Sequence, residues 1–312
     1  MAVAIALLLA ALAAAGCGLG PGQGLGDVSL TVTRDYGAEP VLAAKKDEVT
    51  ESDTVMRVLD RNAEISTRYG GGFVQSIEGL EGAEGDGGPR DWFFYVNGVE
   101  STVGAADYPL QGGEAIWWDY RDWGAAMRVP AVVGSWPQPF AGGYDGRRGP
   151  VAVDCRGGGR ACGTVRRRLE ETGAPVVAGR PTSGEASIMV GTWARLREDP
   201  AAAQIESGPQ ASGVFADLSL TGARAETASS CRLQALDESG SPVTEAGPDA
   251  GLVAATRRYD EPPVWVVTGC GAPGVAAAAA ALDEEDLRDH FAVLVEDDDR
   301  VVPLPRPAGR TG

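Results

Sequence analysis

Residues 27–33 alternate apolar and polar positions, with Val28, Leu30 and Val32 on one side, which predicts a half-buried strand. Residues 34–49 are more polar and carry Lys45 and Lys46. The period then changes. Val55, Val58, Leu59 and Ala63 recur at helical spacing behind Ser52 or Asp53, either of which could serve as the N-cap of an amphipathic helix. A period of two returns in an aromatic strand at residues 92–96. Asn97-Gly98 is the dipeptide that a type I′ hairpin favours, because both central residues need positive φ. Residues 99–103 form the returning strand, and Gly112-Gly113 makes a second turn. On the next strand Ile116, Trp118 and Tyr120 share one face while Trp117, Asp119 and Arg121 share the other. One helix beside an antiparallel sheet makes residues 27–125 a small α+β domain.

The texture changes after residue 125. Residues 126–149 form a Pro/Gly-rich connector that nonetheless holds Trp136, Phe140 and Tyr144, which predicts that it packs on a domain. Residues 150–305 read as strand VAVDC, helix TVRRRLEETG and strands APVVAG and ASIMVGTWARL. A helix opens at Asp199-Pro200, with proline at the first helical position. Strands near 213–220, 230–237, 252–258 and 264–268, helix GVAAAAAAL and strand HFAVLVED complete an α/β layer domain. Residues 306–312 are a tail.

The apolar run at residues 2–16 is short for a membrane span and suits the core of a signal peptide. It ends in Ala14-Ala15-Gly16-Cys17, a small-residue box of the lipoprotein type. Residues 1–17 are therefore expected to be a lipoprotein signal, with Cys17 lipidated after cleavage. Two features depart from the usual box: no Lys or Arg precedes the run, and Ala14 stands where Leu is customary. Cleavage elsewhere, or a plain apolar helix, is the alternative. GLGPGQGLG at 18–26 would be a flexible tether. The expected location is outside the cell, on the membrane through a lipid anchor.

Four further cysteines, Cys155, Cys162, Cys231 and Cys270, make two disulfides the expectation in an exported chain. Three pairings are possible, of which Cys155–Cys162 with Cys231–Cys270 is the simplest. Zinc is the rival, weakened by the lack of any C-x-x-C and by a single histidine. No metal or other cofactor is expected.

With one His (His290) and two adjacent lysines, the usual nucleophile–base arrangements have little to draw on. No catalytic residue is assigned, and the chain is not expected to be an enzyme. Gly269, Gly271 and Gly274 form G-x-G-x-x-G between a strand and a helix, locally a dinucleotide fingerprint. Too little chain follows for a second nucleotide-binding half, so a glycine-rich turn packing a helix on a sheet is the preferred reading. The formal net charge is −17. Residues 18–125 contribute 8 − 19 = −11, and residues 126–312 contribute 19 − 25 = −6. So acidic a surface argues against nucleic acid as a partner.

The order YGGGFVQSI, DWFFYVNGVES, GAADYPL, GGEAIWWDYRDW resembles the C-terminal β-domain of the transcobalamin and intrinsic-factor family, over about residues 28–123. The resemblance implies that domain's fold. It also implies a corrinoid ligand, which those carriers hold against a helical α/α barrel. No barrel pattern follows Trp123, so an α/α-barrel protein or a membrane transporter would be a separate partner. The Trp117-Trp118 pair puts a tryptophan on each sheet face, and an outward aromatic face needs a cover. Trp92, Phe94, Asn97, Tyr108, Trp117, Trp118 and Tyr120 are the candidate ligand-binding residues, with the outward face left open. Two functions are expected: a lipid-anchored extracellular binding protein for cobalamin or another small molecule, or a non-catalytic cell-surface structural or interaction module.

Overall fold

A computed structural model describes residues 22–84, 88–220 and 231–307. Cys17, the signal segment and the first part of the tether lie outside these. The N-terminal part runs β1 (Gly24–Arg34), β2 (Glu39–Thr50), α1 (Val55–Asn62), β3 (Ile65–Arg68), β4 (Phe73–Ile77), β5 (Leu80–Glu81), β6 (Arg90–Val96), β7 (Val99–Glu100) and β8 (Ala115–Asp122). Five of these strands form a sheet of order β2-β1-β8-β6-β7, in which only β1 and β8 are parallel. Strands β3-β4-β5 form a separate antiparallel sheet.

Local chemistry explains the boundaries. Thr54 is the N-cap of α1, its hydroxyl accepting from the Arg57 amide at 3.3 Å. The expected caps, Ser52 and Asp53, lie just outside, and Asp53 accepts instead from the amide and hydroxyl of Thr50. Asn97 (φ 53°) and Gly98 (φ 73°) take the left-handed pair that the hairpin requires. The returning strand is two residues long rather than five. The connector pairs with the outer side of this short strand: Pro130 accepts from the Glu100 amide at 3.1 Å, and Val132 donates to Gly98 at 2.8 Å.

The C-terminal part comprises β9 (Val151–Arg156), α2 (Gly159–Glu171), β10 (Val176–Ala178), β11 (Ser187–Gly191), α3 (Trp193–Leu196), α4 (Pro209–Ser212), β12 (Ala216–Leu220), β13 (Cys231–Leu236), β14 (Pro242–Glu245), β15 (Gly251–Thr256), β16 (Val264–Gly269), α5 (Ala272–Ala280), α6 (Glu284–Leu287), β17 (Ala292–Val295) and β18 (Val301–Leu304). The large sheet has the order β10-β9-β11-β16-β15-β17-β18, and β12-β13-β14 form a small antiparallel sheet. Strands β10, β9, β11 and β16 are parallel, whereas β15, β17 and β18 join by antiparallel pairing. The strand expected over 186–196 stops at Gly191, and Trp193 and Leu196 are buried from the short helix α3. The helix expected at Asp199-Pro200 is a 3-10 turn, Ala202–Ser207.

Three apolar cores result. One face of the N-terminal sheet (Leu30, Val32, Trp92, Ile116, Trp118) packs on Val55, Val58 and Leu59 of α1 and on Val74 and Ile77 of β4. The opposite face, through Tyr36, Tyr95 and Trp117, joins a core shared with Phe215, Leu218, Leu252 and Phe291 of the C-terminal part. The far face of the large sheet packs on α2 and α5, and there Trp136 and Phe140 of the connector meet Trp265 at 5.8 and 4.9 Å. The connector thus packs on the C-terminal part, as its aromatics predict.

Both disulfides adopt the simplest pairing, Cys155–Cys162 and Cys231–Cys270. The first ties the end of β9 to the opening turn of α2; the second ties β13 to the turn after β16. The G-x-G-x-x-G segment does span a strand and a helix, but its glycines serve packing. A Cβ on Gly274 would lie 2.0 Å from the Ala250 carbonyl oxygen, and one on Gly269 would lie 2.8 Å from the same atom. Helix α5 approaches the start of β15 backbone to backbone, in a space that only glycine leaves open.

Candidate functional site

Strand alternation sends the aromatics of β6 and β8 to two different places. Phe93 and Tyr95, with Trp117, Asp119 and Arg121, face the C-terminal part. Phe291 enters an aromatic box there, with ring centroids 5.1 Å from Tyr36, 5.2 Å from Trp117 and 5.6 Å from Tyr95, all near edge-on. Arg121 is fully buried, its guanidinium 3.7 Å from the Phe93 ring centroid and donating to the carbonyls of Ala126 (2.7 Å) and Met127 (3.1 Å).

Asp119, also fully buried, accepts from the Thr33 hydroxyl (2.6 Å) and from the amides of Tyr36 (3.0 Å) and Gly37 (2.9 Å). Thr33 in turn accepts from Trp117 Nε1 at 2.7 Å. Burial pushes the Asp119 carboxyl up to about 6, against these hydrogen bonds and the nearby Arg121 charge, which draw it down. The network fixes the β1–β2 turn, where Asp35 and Tyr36 have positive φ (56° and 60°).

The other set, Trp92, Phe94 and Trp118, lines a cleft of about 260 Å³. Its remaining wall comes from Met56 of α1, Phe73 and Val74 of β4, Phe93, and the segment Glu100, Ser101, Gly104 and Ala105. Phe94 stacks on Trp118 with centroids 5.0 Å apart and is half-buried. The cleft lies along a free strand edge. On β6, β7 pairs with Tyr95 and Val96, and Ala83 bridges to Arg90, which among the described residues leaves 92–94 with β8 on one side alone. At the rim, Phe73 is 41% exposed and Tyr69 is 87% exposed, with their rings 6.3 Å apart.

Trp118 is 3% exposed, and among the described residues its indole Nε1 has no hydrogen-bond partner. Glu100 is the one charged residue lining the cleft. Burial raises its carboxyl above the ordinary value, against the pull of Arg128, whose Nε donates to Oε2 at 3.1 Å.

Of the seven residues singled out in the sequence, the fold brings Trp92, Phe94 and Trp118 together, and four belong elsewhere. Trp117 is buried against Phe291 between the two parts. Asn97 is wholly buried and closes its own hairpin, donating to Gly143 and accepting from the Ala115 amide, each at 2.9 Å. The hydroxyl of Tyr108 donates to Glu114 (3.1 Å), and that of Tyr120 to the Glu81 carbonyl (2.7 Å). The polar groups of these four are engaged inside the protein. Sequence reasoning missed Phe73 and Glu100; YGGGFVQSI contains the former, but nothing local says that β4 crosses toward β6.

These sheets, with few helices, define an α+β protein. Residues 52–122, from just before α1 to the end of β8, match the family described as a domain of unknown function, DUF4430. No curated protein matches the chain. A crystal structure at 1.30 Å of a protein from Ruminococcus gnavus ATCC 29149, described as a candidate metal binding protein, is similar at 14% identity and a TM-score of 0.24. That similarity covers 31% of this chain and 97% of the other. Among the described residues there is no cluster of three or more His, Cys, Asp or Glu placed to hold a metal.

Proposed function

We propose that this chain is a lipid-anchored extracellular binding protein whose small-molecule ligand seats in the aromatic cleft along β6. One observation carries the reading: Phe94, half-buried and stacked on Trp118, opens onto a cleft walled by apolar side chains, while the opposite aromatic face is filled by the C-terminal part. A flat conjugated ring would stack on such a wall. The sequence resemblance makes a corrinoid the first candidate, and a cleft of about 260 Å³ would take one edge of it. A separate α/α-barrel protein or a membrane transporter would cover the remainder.

Titration of cobalamin, cobinamide and haem into the protein lacking residues 1–17 tests this. Binding should quench the fluorescence of Trp92 and Trp118. Phe94→Ala should weaken it at least about tenfold, the cost of one lost aromatic stack, while leaving the unfolding curve cooperative. Fluorescence unchanged by all three ligands, after optical correction, would remove the corrinoid. The exposed Tyr69–Phe73 pair would then favour a second reading, a non-catalytic interaction module whose partner protein covers that rim.

Anchoring is proposed from the small-residue box before Cys17 and the glycine-rich tether after it. Cys17→Ser is expected to move the protein from the membrane fraction to the medium or to leave an unprocessed precursor. Unaltered processing and attachment in that variant would sink the lipid anchor.

A further inference from the structure

We infer that the cleft along β6 selects a small organic cation, a quaternary or protonated alkylammonium ion, seated between its aromatic walls and the Glu100 carboxylate. This rests on the cleft being the ligand seat, and it names the ligand class from the cleft itself.

Three features converge. Trp92, Phe94, Trp118 and Phe73 present aromatic rings, whose faces carry negative potential and attract cations. The thioether of Met56 adds a polarisable contact. Secondly, Glu100 is the sole charged residue lining the cleft among the described residues. Its side chain is 14% exposed and also feels the charges of Arg121 and Arg257; Arg128, 56% exposed, bonds to Oε2, so among the described residues Oε1 remains for a ligand. Thirdly, residues 18–125 carry a net −11 (8 − 19), a field that concentrates cations at the mouth of the cleft.

The volume, about 260 Å³, suits a compact ion rather than a long polyamine.

Choline and its uncharged isostere 3,3-dimethylbutan-1-ol are the probes, titrated into the full chain at pH 8 by tryptophan fluorescence and calorimetry. Choline is expected to bind at least about tenfold more tightly than the isostere, the ratio a desolvated cation–π site supports. Glu100→Gln should cost choline about tenfold or more and leave the isostere unmoved. Arg128→Ala removes an exposed competitor for the same carboxylate, so it should tighten choline binding. Equal affinity for choline and the isostere, or choline binding indifferent to both substitutions, would overturn the cation assignment. Corrinoid binding that is sensitive to Phe94→Ala, alongside absent choline binding, would overturn the cation alone and leave the cleft as the seat. Failure of every probe would remove both.

Discussion

Asp119→Ala is expected to lower the stability of the protein by about 3–5 kcal/mol, the range for removing one member of a buried charged network. The carboxylate accepts from the Thr33 hydroxyl and two backbone amides, and Thr33 relays the same network to Trp117. Alanine would leave those donors buried without an acceptor, at roughly 1–3 kcal/mol each where they cannot reach water. It would also remove one of the acidic groups that act on the buried Arg121. The β1–β2 turn carries Tyr36 into the aromatic box around Phe291, so the two parts should loosen together. Urea unfolding followed by tryptophan fluorescence measures this; a loss under 1 kcal/mol would contradict the network's role.

A pH dependence accompanies it. The folded-state value of about 6 lies above the ordinary 3.8, so the protonated carboxyl is favoured on folding. Its stabilising contribution is complete below pH 4 and is lost as pH rises through 6, by about 3 kcal/mol for a shift of this size. Asp119→Asn keeps an acceptor at this site but does not titrate. It should be milder than alanine at neutral pH and should lack this step in the stability profile.

Cys231→Ser is expected to cost about 4 kcal/mol in the oxidised protein, on the loop-entropy scale for a bridge that closes a 39-residue loop. Cys155→Ser, opening a loop of only 7, should cost about 2 kcal/mol. The order of the two variants in thermal or urea unfolding is the check. The longer bridge also ties the small β12-β13-β14 sheet to the turn that starts α5, so its loss should expose the apolar face on which Leu218 and Leu233 lie. Equal costs would show that loop length does not govern these bridges.

The family match over residues 52–122 spans every residue that lines the cleft, from Met56 to Trp118.

Local chemistry made much of this protein legible in its sequence. The alternation of β6 and β8, the Asn97-Gly98 turn, helix α1 and the even cysteine count each follow from interactions within a few residues or from compartment. The two aromatic faces were separable for the same reason, since a period of two sorts side chains before any partner is known. Where each face leads was decided only by tertiary structure. Phe291 lies 174 positions beyond Trp117, and no local pattern announces that it fills the box with Tyr36 and Tyr95. The short β7 is likewise a long-range outcome: Pro130 and Val132 of the connector pair with its outer side, at the Glu100 amide and the Gly98 carbonyl, around a Val99–Ala131 bridge. That truncation leaves residues 92–94 with a free edge, and with it the cleft. Burial of this kind depends on which surfaces the whole chain brings together, and a linear pattern encodes the faces but not their partners.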